Sequence, residues 1–155
     1  DDGESGGLTE ESTVQGFEAQ VSGMITDEWF ITAGYSYLDS EDTNNFEPRE
    51  IPTHTFSIWS RYQLTGKLGL GLGAIYQDES YINNIDPEKI PDVRKELPGY
   101  VRVDAAAYYQ LTDTIRLQLN IENLLDETYF PSAHSSHQAT VGAPINARFS
   151  ISGRF

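Results

Sequence analysis

The sequence lacks cysteine altogether, and it also lacks any long run of apolar residues. The absence of cysteine excludes a disulfide framework, a thiolate metal site and a thiol nucleophile. Hydrophobic residues make up only 38% of the chain, and no stretch approaches the roughly 20 apolar residues that a membrane-spanning helix requires. A helical membrane protein is therefore excluded, whereas a membrane protein whose strands are apolar on one face only is not.

Basic residues are also few, because 10 lysines and arginines stand against 24 acidic residues and give a formal charge of −14. This deficit argues against nucleic-acid binding, which depends on cationic contacts with phosphates. The acidic residues concentrate in predicted loops such as 39–50, where solvated side chains are expected. Residues 39–45 also offer oxygen ligands for a hard cation without the glycine and distal glutamate of an EF-hand loop, and that alternative stays open.

What the chain does contain is a regular alternation of apolar and polar residues, which is typical of strands with two different faces. Seven such segments are present, at about 12–25, 29–38, 53–64, 68–81, 99–111, 115–125 and 145–155. The last segment alternates up to the C-terminal Phe155. These segments predict an all-β antiparallel fold with one oily face and one wet face.

The connections between the segments alternate strictly in length. Turns of three residues occur at 26–28, 65–67 and 112–114, whereas long connections cover 39–51, 82–97 and 126–143. Long loops of this kind are unusual in a compact soluble domain, but tight periplasmic turns and long external loops typify an outer-membrane barrel. The pattern therefore predicts an antiparallel transmembrane β-barrel.

Aromatic residues on the apolar face test the barrel against a β-sandwich. One band lies near the short turns (Trp29, Tyr62, Tyr109, Phe155), and the other lies near the long loops (Phe17, Tyr35, Tyr37, Phe56, Tyr76). A bilayer selects two such bands, whereas a sandwich places aromatic residues at mid-strand as often as at the ends. The distribution favours the barrel.

Seven strands do not close a bacterial barrel, which needs an even number of at least eight. The predicted inner face is also too polar to pack as a small core, because it carries residues such as Arg61, Gln77 and Asp104. We therefore expect residues 1–155 to be one partial domain, the C-terminal portion of a larger barrel.

Residues 118–129, Gln-Leu-Asn-Ile-Glu-Asn-Leu-Leu-Asp-Glu-Thr-Tyr, resemble the penultimate-strand signature of TonB-dependent outer-membrane siderophore receptors. A Gly-x-Pro sequence at 142–144 and a last strand that ends on an aromatic residue follow in the family's order. Upstream, residues 51–55 and 97–105 look like the preceding strands of the siderophore-receptor branch and of its catecholate type. The resemblance is specific over 97–155 and extends in outline over the whole chain.

This resemblance implies a barrel of about 22 strands with an N-terminal plug, in the cell outer membrane of a Gram-negative bacterium. It implies active uptake of ferric siderophores, so that the iron complex is the substrate and no cofactor is expected. Implied partners are outer-membrane lipid and lipopolysaccharide, the missing plug and N-terminal barrel strands, the energy-coupling TonB complex and the barrel assembly machinery. Phe155 resembles the C-terminal signal that this machinery reads.

Ferric siderophores are usually anionic or neutral, so inward cations and loop histidines are the candidate substrate contacts. They are Arg102, Arg148, His134 and His137. An ion pair between Arg102 and Glu122 and a contact between Arg148 and the plug are the structural alternatives. For the two histidines, the alternative is a solvated loop without a ligand.

The sequence shows no catalytic constellation, so we expect the protein not to be an enzyme, and we assign no residue to a metal site. Gly69, Gly71 and Gly73 alternate within a strand and do not form a phosphate-binding loop; we expect them to leave room for the plug. Three functional alternatives stay open: a passive porin or adhesin barrel, an outer-membrane hydrolase, and TonB-dependent uptake of a vitamin or sugar.

Overall fold

The computed structural model describes residues 12–42, 50–82, 96–135 and 138–154. Its strands are β1 (Ser12–Thr26), β2 (Trp29–Asp42), β3 (His54–Gln63), β4 (Leu68–Gln77), β5 (Ser80–Tyr81), β6 (Glu96–Leu97), β7 (Tyr100–Gln110), β8 (Ile115–Glu122), β9 (Ser132–Ser135), β10 (Gln138–Thr140) and β11 (Asn146–Gly153). Seven of these strands form one antiparallel sheet in the order β1-β2-β3-β4-β7-β8-β11. The predicted all-β antiparallel fold is confirmed. Across the described residues, no helix has the length and apolar character needed to cross a membrane.

The strand register gives the sheet an apolar face and a polar face. At the end of the sheet near the long connections, Tyr35 lies opposite Phe56, which in turn lies opposite Tyr76. Phe17 joins this band, with its ring centroid 5.6 Å from that of Tyr35. At the short-turn end, Trp29 lies opposite Tyr62 on the same face. The two aromatic bands are therefore present among the described residues. Phe155, which is predicted to belong to the band near the short turns, is not one of the described residues.

Large side chains on the apolar face remain uncovered within the chain. Phe17 is 56% exposed, Val21 65% and Ile151 67%. Transfer of such groups out of water is favourable by about 25 cal/mol per Å², so this face fits a hydrocarbon surrounding. The one indole N–H on this face is satisfied, because Trp29 Nε1 donates to Ser60 Oγ at 2.8 Å.

In two of the short turns, a threonine hydroxyl bonds the backbone of the turn in the same way. Thr65 Oγ1 accepts hydrogen bonds from the backbone N–H groups of Lys67 and Leu68. Thr112 Oγ1 accepts in the same way from Thr114 and Ile115. Hydroxyl groups that bond the backbone two or three residues later favour tight turns, which explains why three-residue connections suffice at 65–67 and 112–114.

The strand ends near the long connections differ from the predicted ones. β2 continues to Asp42, four residues beyond the predicted end, whereas β4 stops at Gln77 and is followed by the separate short strand β5. β5 pairs with β6, and β9 pairs with β10, so the connections predicted as loops contain two small ribbons. β8 ends at Glu122 instead of 125, because Asn123 has a left-handed φ of 54° that no strand accommodates.

An apolar cluster lies beyond the sheet, where the connections meet. Ile82, Leu97 and Ala133 are buried there, and Phe130 packs against them. We call these four residues the loop cluster. Its members come from two connections, β4–β7 and β8–β11, so the cluster links parts of the chain that the sheet itself does not join.

Candidate functional site on the polar face

The polar face is lined by small and hydrogen-bonding side chains arranged in rows across the strands. One row runs Thr32, Trp59, Gly73 and Asp104 through successive strand pairs. An open cleft of about 820 Å³ lies over this part of the sheet, which is within the usual size range of small-molecule sites. The face therefore offers a concave polar wall that carries the large aromatic side chain of Trp59 at the level of the cleft.

Trp59 lies flat over the glycines of β4. A Cβ atom on Gly71 would come within 2.5 Å of the Trp59 ring, and a Cβ atom on Gly73 would overlap it. At Gly69 the nearest atom is the side-chain oxygen of Gln63, at 3.1 Å. The prediction that these glycines leave room for the plug is therefore corrected, because side chains of the neighbouring strand β3 occupy the space above them.

Arg61 is held against the wall toward the short-turn end. Its guanidinium carbon lies 4.8 Å from the ring centroid of Tyr108, and its Nη2 donates to Gln63 Oε1 at 3.4 Å. A cation over an aromatic face gains electrostatic stabilisation without a carboxylate. The polar wall thus carries a fixed positive group at this level.

Arg102 lies near the long-connection end and is engaged by its own strand. Its Nη2 donates to Asp104 Oδ2 at 2.8 Å, and its Nη1 donates to the Tyr129 hydroxyl at 3.2 Å. The expected ion pair with Glu122 is wrong: Ile121 pairs with Ala105, so Glu122 lies opposite Asp104 and not opposite Arg102. Residues two apart on one strand share a face, and Asp104 is therefore the nearer carboxylate.

Asn123 lies directly after β8, at the start of the last long connection. It is 1% exposed, and its Nδ2 donates to the carbonyl oxygens of Glu127 and Ala143 at 2.9 and 3.1 Å. Its Oδ1 accepts from the backbone N–H of Glu127 at 2.9 Å, and its own backbone N–H donates to Asp104 Oδ1. One side chain therefore joins both ends of the connection, and Asp104 links it to Arg102.

Tyr129 fills the space between this connection and the polar wall. It is 6% exposed, and its ring centroid lies 4.7 Å from that of Tyr100. Its carbonyl oxygen accepts from the backbone N–H of Gly142, where a Cβ atom would overlap the tyrosine ring. We call Arg102, Asp104, Asn123 and Tyr129 the rim network, because they fix the wall where it meets the last connection.

The two predicted arginine contacts do not come together. Arg148 is exposed on the polar face and lies opposite Asn120, at a different level of the wall from Arg102. His134 belongs to β9, and His137 lies outside the described residues. No metal-binding group of three or more His, Cys, Asp or Glu residues occurs in the described ranges. A role of these four residues in substrate binding stays a prediction.

Sequence reasoning did not single out Trp59, and it noted Asn123 only as part of a motif. The glycines at every second position of β4, directly after a strand with an inward tryptophan, were the available signal for Trp59. For Asn123, the signal was an asparagine at a strand end, since asparagine tolerates left-handed backbone better than most residues.

Comparison with known proteins assigns the chain to a family. A family model described as "TonB dependent receptor-like, beta-barrel" matches residues 7–124. The probable TonB-dependent siderophore receptor PiuA of Acinetobacter baumannii is 35% identical over 94% of this chain. The catecholate siderophore receptor Fiu of Escherichia coli K12 is 29% identical over 79% of it.

Solved structures agree with this assignment. The crystal structure of PiuA superposes with a TM-score of 0.83 over 93% of this chain and 22% of its own. The ferripyoverdine receptor of the Pseudomonas aeruginosa outer membrane, bound to ferripyoverdine, superposes with a TM-score of 0.79 at 27% identity over 93% of this chain and 20% of its own. The chain covers 21% of the PiuA sequence and 17% of the Fiu sequence, about a fifth of its relatives' length. The chain therefore belongs to the TonB-dependent receptors, outer-membrane proteins of Gram-negative bacteria, and forms part of their β-barrel.

Proposed function

We propose that the protein containing this chain takes up ferric siderophores across the outer membrane by active transport, and that this chain supplies barrel wall and external loops. The observation that carries the proposal is the sheet itself, which superposes on the siderophore receptor PiuA with a TM-score of 0.83 over 93% of the chain. The iron complex is the transported substrate. The family consists of transport receptors, and we assign no catalytic step to the polar face.

The same proposal implies several partners. A plug and further N-terminal strands complete the transporter, and the TonB complex supplies the energy. Membrane lipid and lipopolysaccharide cover the apolar face, and the assembly machinery reads the C-terminal Phe155. This chain's own contribution is the polar wall with Trp59 and Arg61, and the rim network at its outer end.

Deletion of the gene is expected to abolish uptake of a radiolabelled ferric siderophore in iron-limited cells. We would test catecholate, hydroxamate and pyoverdine-type chelates, together with a vitamin and an oligosaccharide as alternative substrates. The intact gene should restore uptake, and the same gene in a strain without TonB should not. Uptake that persists without TonB would contradict the proposal and support a passive pore, and uptake of the vitamin or sugar alone would replace the siderophore as substrate.

Of the two predicted arginine contacts, Arg148 is the better candidate, because its side chain is exposed, whereas Arg102 is bonded to Asp104 and Tyr129. Replacing Arg148 by alanine is expected to raise the KM for uptake of an anionic ferric chelate about three- to fivefold, the scale of an exposed charge interaction. Ser150→Ala, on the same face of β11, is the control and should leave KM unchanged. A lower thermal stability of Arg148→Ala with an unaltered KM would instead indicate a contact with the plug.

A further inference from the structure

Two long connections meet at the loop cluster. Ile82 and Leu97 are 8% and 4% exposed and belong to the β4–β7 connection. Ala133, at 8%, and Phe130 belong to the β8–β11 connection. Burial of these side chains draws the two connections together, but the hydrophobic effect has no direction. It does not fix where one backbone lies against the other.

Glu50, at the end of the β2–β3 connection, supplies the directional contacts. Its Oε1 accepts a hydrogen bond from the backbone N–H of Ala133 at 2.7 Å, across 83 positions of sequence. Its own backbone N–H donates to the carbonyl oxygen of Tyr81 at 2.6 Å. A single residue thus joins all three connections through hydrogen bonds.

The backbone conformation of Glu50 is unfavourable for a glutamate, which indicates that the position is occupied by glutamate for the sake of its side chain. Its φ of 58° lies in the left-handed region, which glycine or asparagine adopts at lower cost. A turn alone would be served by either of those residues, but neither side chain is long enough to replace the glutamate. The carboxylate forms a charge-assisted bond, and its removal leaves the N–H of the buried Ala133 without that partner.

We propose that Glu50 is a positioning residue that holds the β8–β11 connection in place over the outer rim and thereby presets the mouth of the receptor for its substrate. The rim network already fixes the base of this connection through Asn123 and Tyr129. Glu50 fixes its far part, beyond Phe130. The substrate in this statement rests on the proposed function, whereas the contact between Glu50 and Ala133 does not.

Hydrogen exchange in the full-length receptor tests the contact without any substrate. Glu50→Ala is expected to speed exchange of the Ala133 amide about tenfold. Glu50→Gln keeps a side-chain oxygen at the same reach and should stay within about threefold of wild type. Glu96→Ala removes a carboxylate next to Leu97 that makes no side-chain hydrogen bond to described residues, and it should leave Ala133 unchanged. Equal exchange at Ala133 in Glu50→Ala and wild type would overturn the proposal.

Transport kinetics test the positioning role. Loss of the Glu50 contact frees the β8–β11 connection and lowers the fraction of receptor whose mouth is arranged to bind substrate. The KM for ferric siderophore uptake then rises by the same factor. We expect about a fivefold rise for Glu50→Ala with an unchanged maximal rate, and recovery in Glu50→Gln. Faster exchange with an unaltered KM would refute the role in substrate positioning. A receptor that transports no ferric siderophore at all, yet shows the exchange pattern, would contradict the proposed function and leave the Glu50 contact established.

Discussion

Replacement of Asn123 by alanine is expected to release the last long connection from the sheet and to lower the free energy of unfolding by about 3–5 kcal/mol. The side chain is 1% exposed and makes three hydrogen bonds, so its removal leaves the N–H and C=O of Glu127 and the C=O of Ala143 unpaired. Glu127 and Ala143 are themselves exposed residues, so each of these three backbone groups costs about 1 kcal/mol, the low end of the range for a lost partner. Alanine also adopts the φ of 54° less readily than asparagine does.

The measurement is denaturant unfolding of the full-length receptor, together with the amount of folded receptor in the outer membrane. Asn123→Gly separates the two causes, because glycine accepts the left-handed backbone but supplies no hydrogen bond. It should lose about 1 kcal/mol less than Asn123→Ala. Asn120→Ala is the matched control, since Asn120 is half-buried and, among the described residues, its side chain accepts a single hydrogen bond, from Gln118 at 2.8 Å. A similar loss in Asn120→Ala and Asn123→Ala would contradict the special role of Asn123.

The parts of the fold that alternation controls could be predicted from the sequence. A pleated strand turns successive side chains to opposite faces, so the apolar face, its aromatic bands and the short turns followed from residue order alone. Three of the six strand pairings also followed, since the short turns force β1–β2, β3–β4 and β7–β8 to be antiparallel neighbours. The family signature at 118–129 correctly marked the penultimate strand of the sheet, although that strand ends at Glu122 rather than at 125.

The contacts made outside the strands could not be predicted in the same way. Glu50 and Ala133 lie 83 positions apart, and no local pattern relates a carboxylate to a distant backbone amide. The partner of Arg102 depended on the β7–β8 register, which a shift of one or two residues would change, and the sequence specified it only approximately. The ribbons β5–β6 and β9–β10 are two to four residues long, too short to leave a recognisable alternation.

A methyl group on Gly71 or Gly73 is expected to displace Trp59 from the polar wall and to destabilise the receptor by about 1–3 kcal/mol. Both glycines are buried on the polar face, and for both of them the nearest atom to an added Cβ belongs to the Trp59 ring. In an exposed strand, glycine to alanine would be neutral or stabilising. Denaturant unfolding of the full-length receptor measures the effect. A lower stability of Gly71→Ala and Gly73→Ala would therefore show that the Trp59 ring lies over these glycines. Gly66→Ala is the control, because no neighbouring atom lies within 4 Å of a Cβ atom added there.

The two glycines differ in what else surrounds them, and this difference allows a sharper test. All three nearest neighbours of an added Cβ on Gly71 are Trp59 ring atoms, whereas on Gly73 the backbone oxygen of Ile58 also lies at 2.8 Å. Removal of the ring by Trp59→Ala should therefore cancel the cost of Gly71→Ala in a double-mutant cycle. The cost of Gly73→Ala should be only partly relieved, because the backbone of Ile58 cannot withdraw as a side chain can. Equal rescue of both variants, or rescue of neither, would show that Trp59 does not lie flat across these glycines.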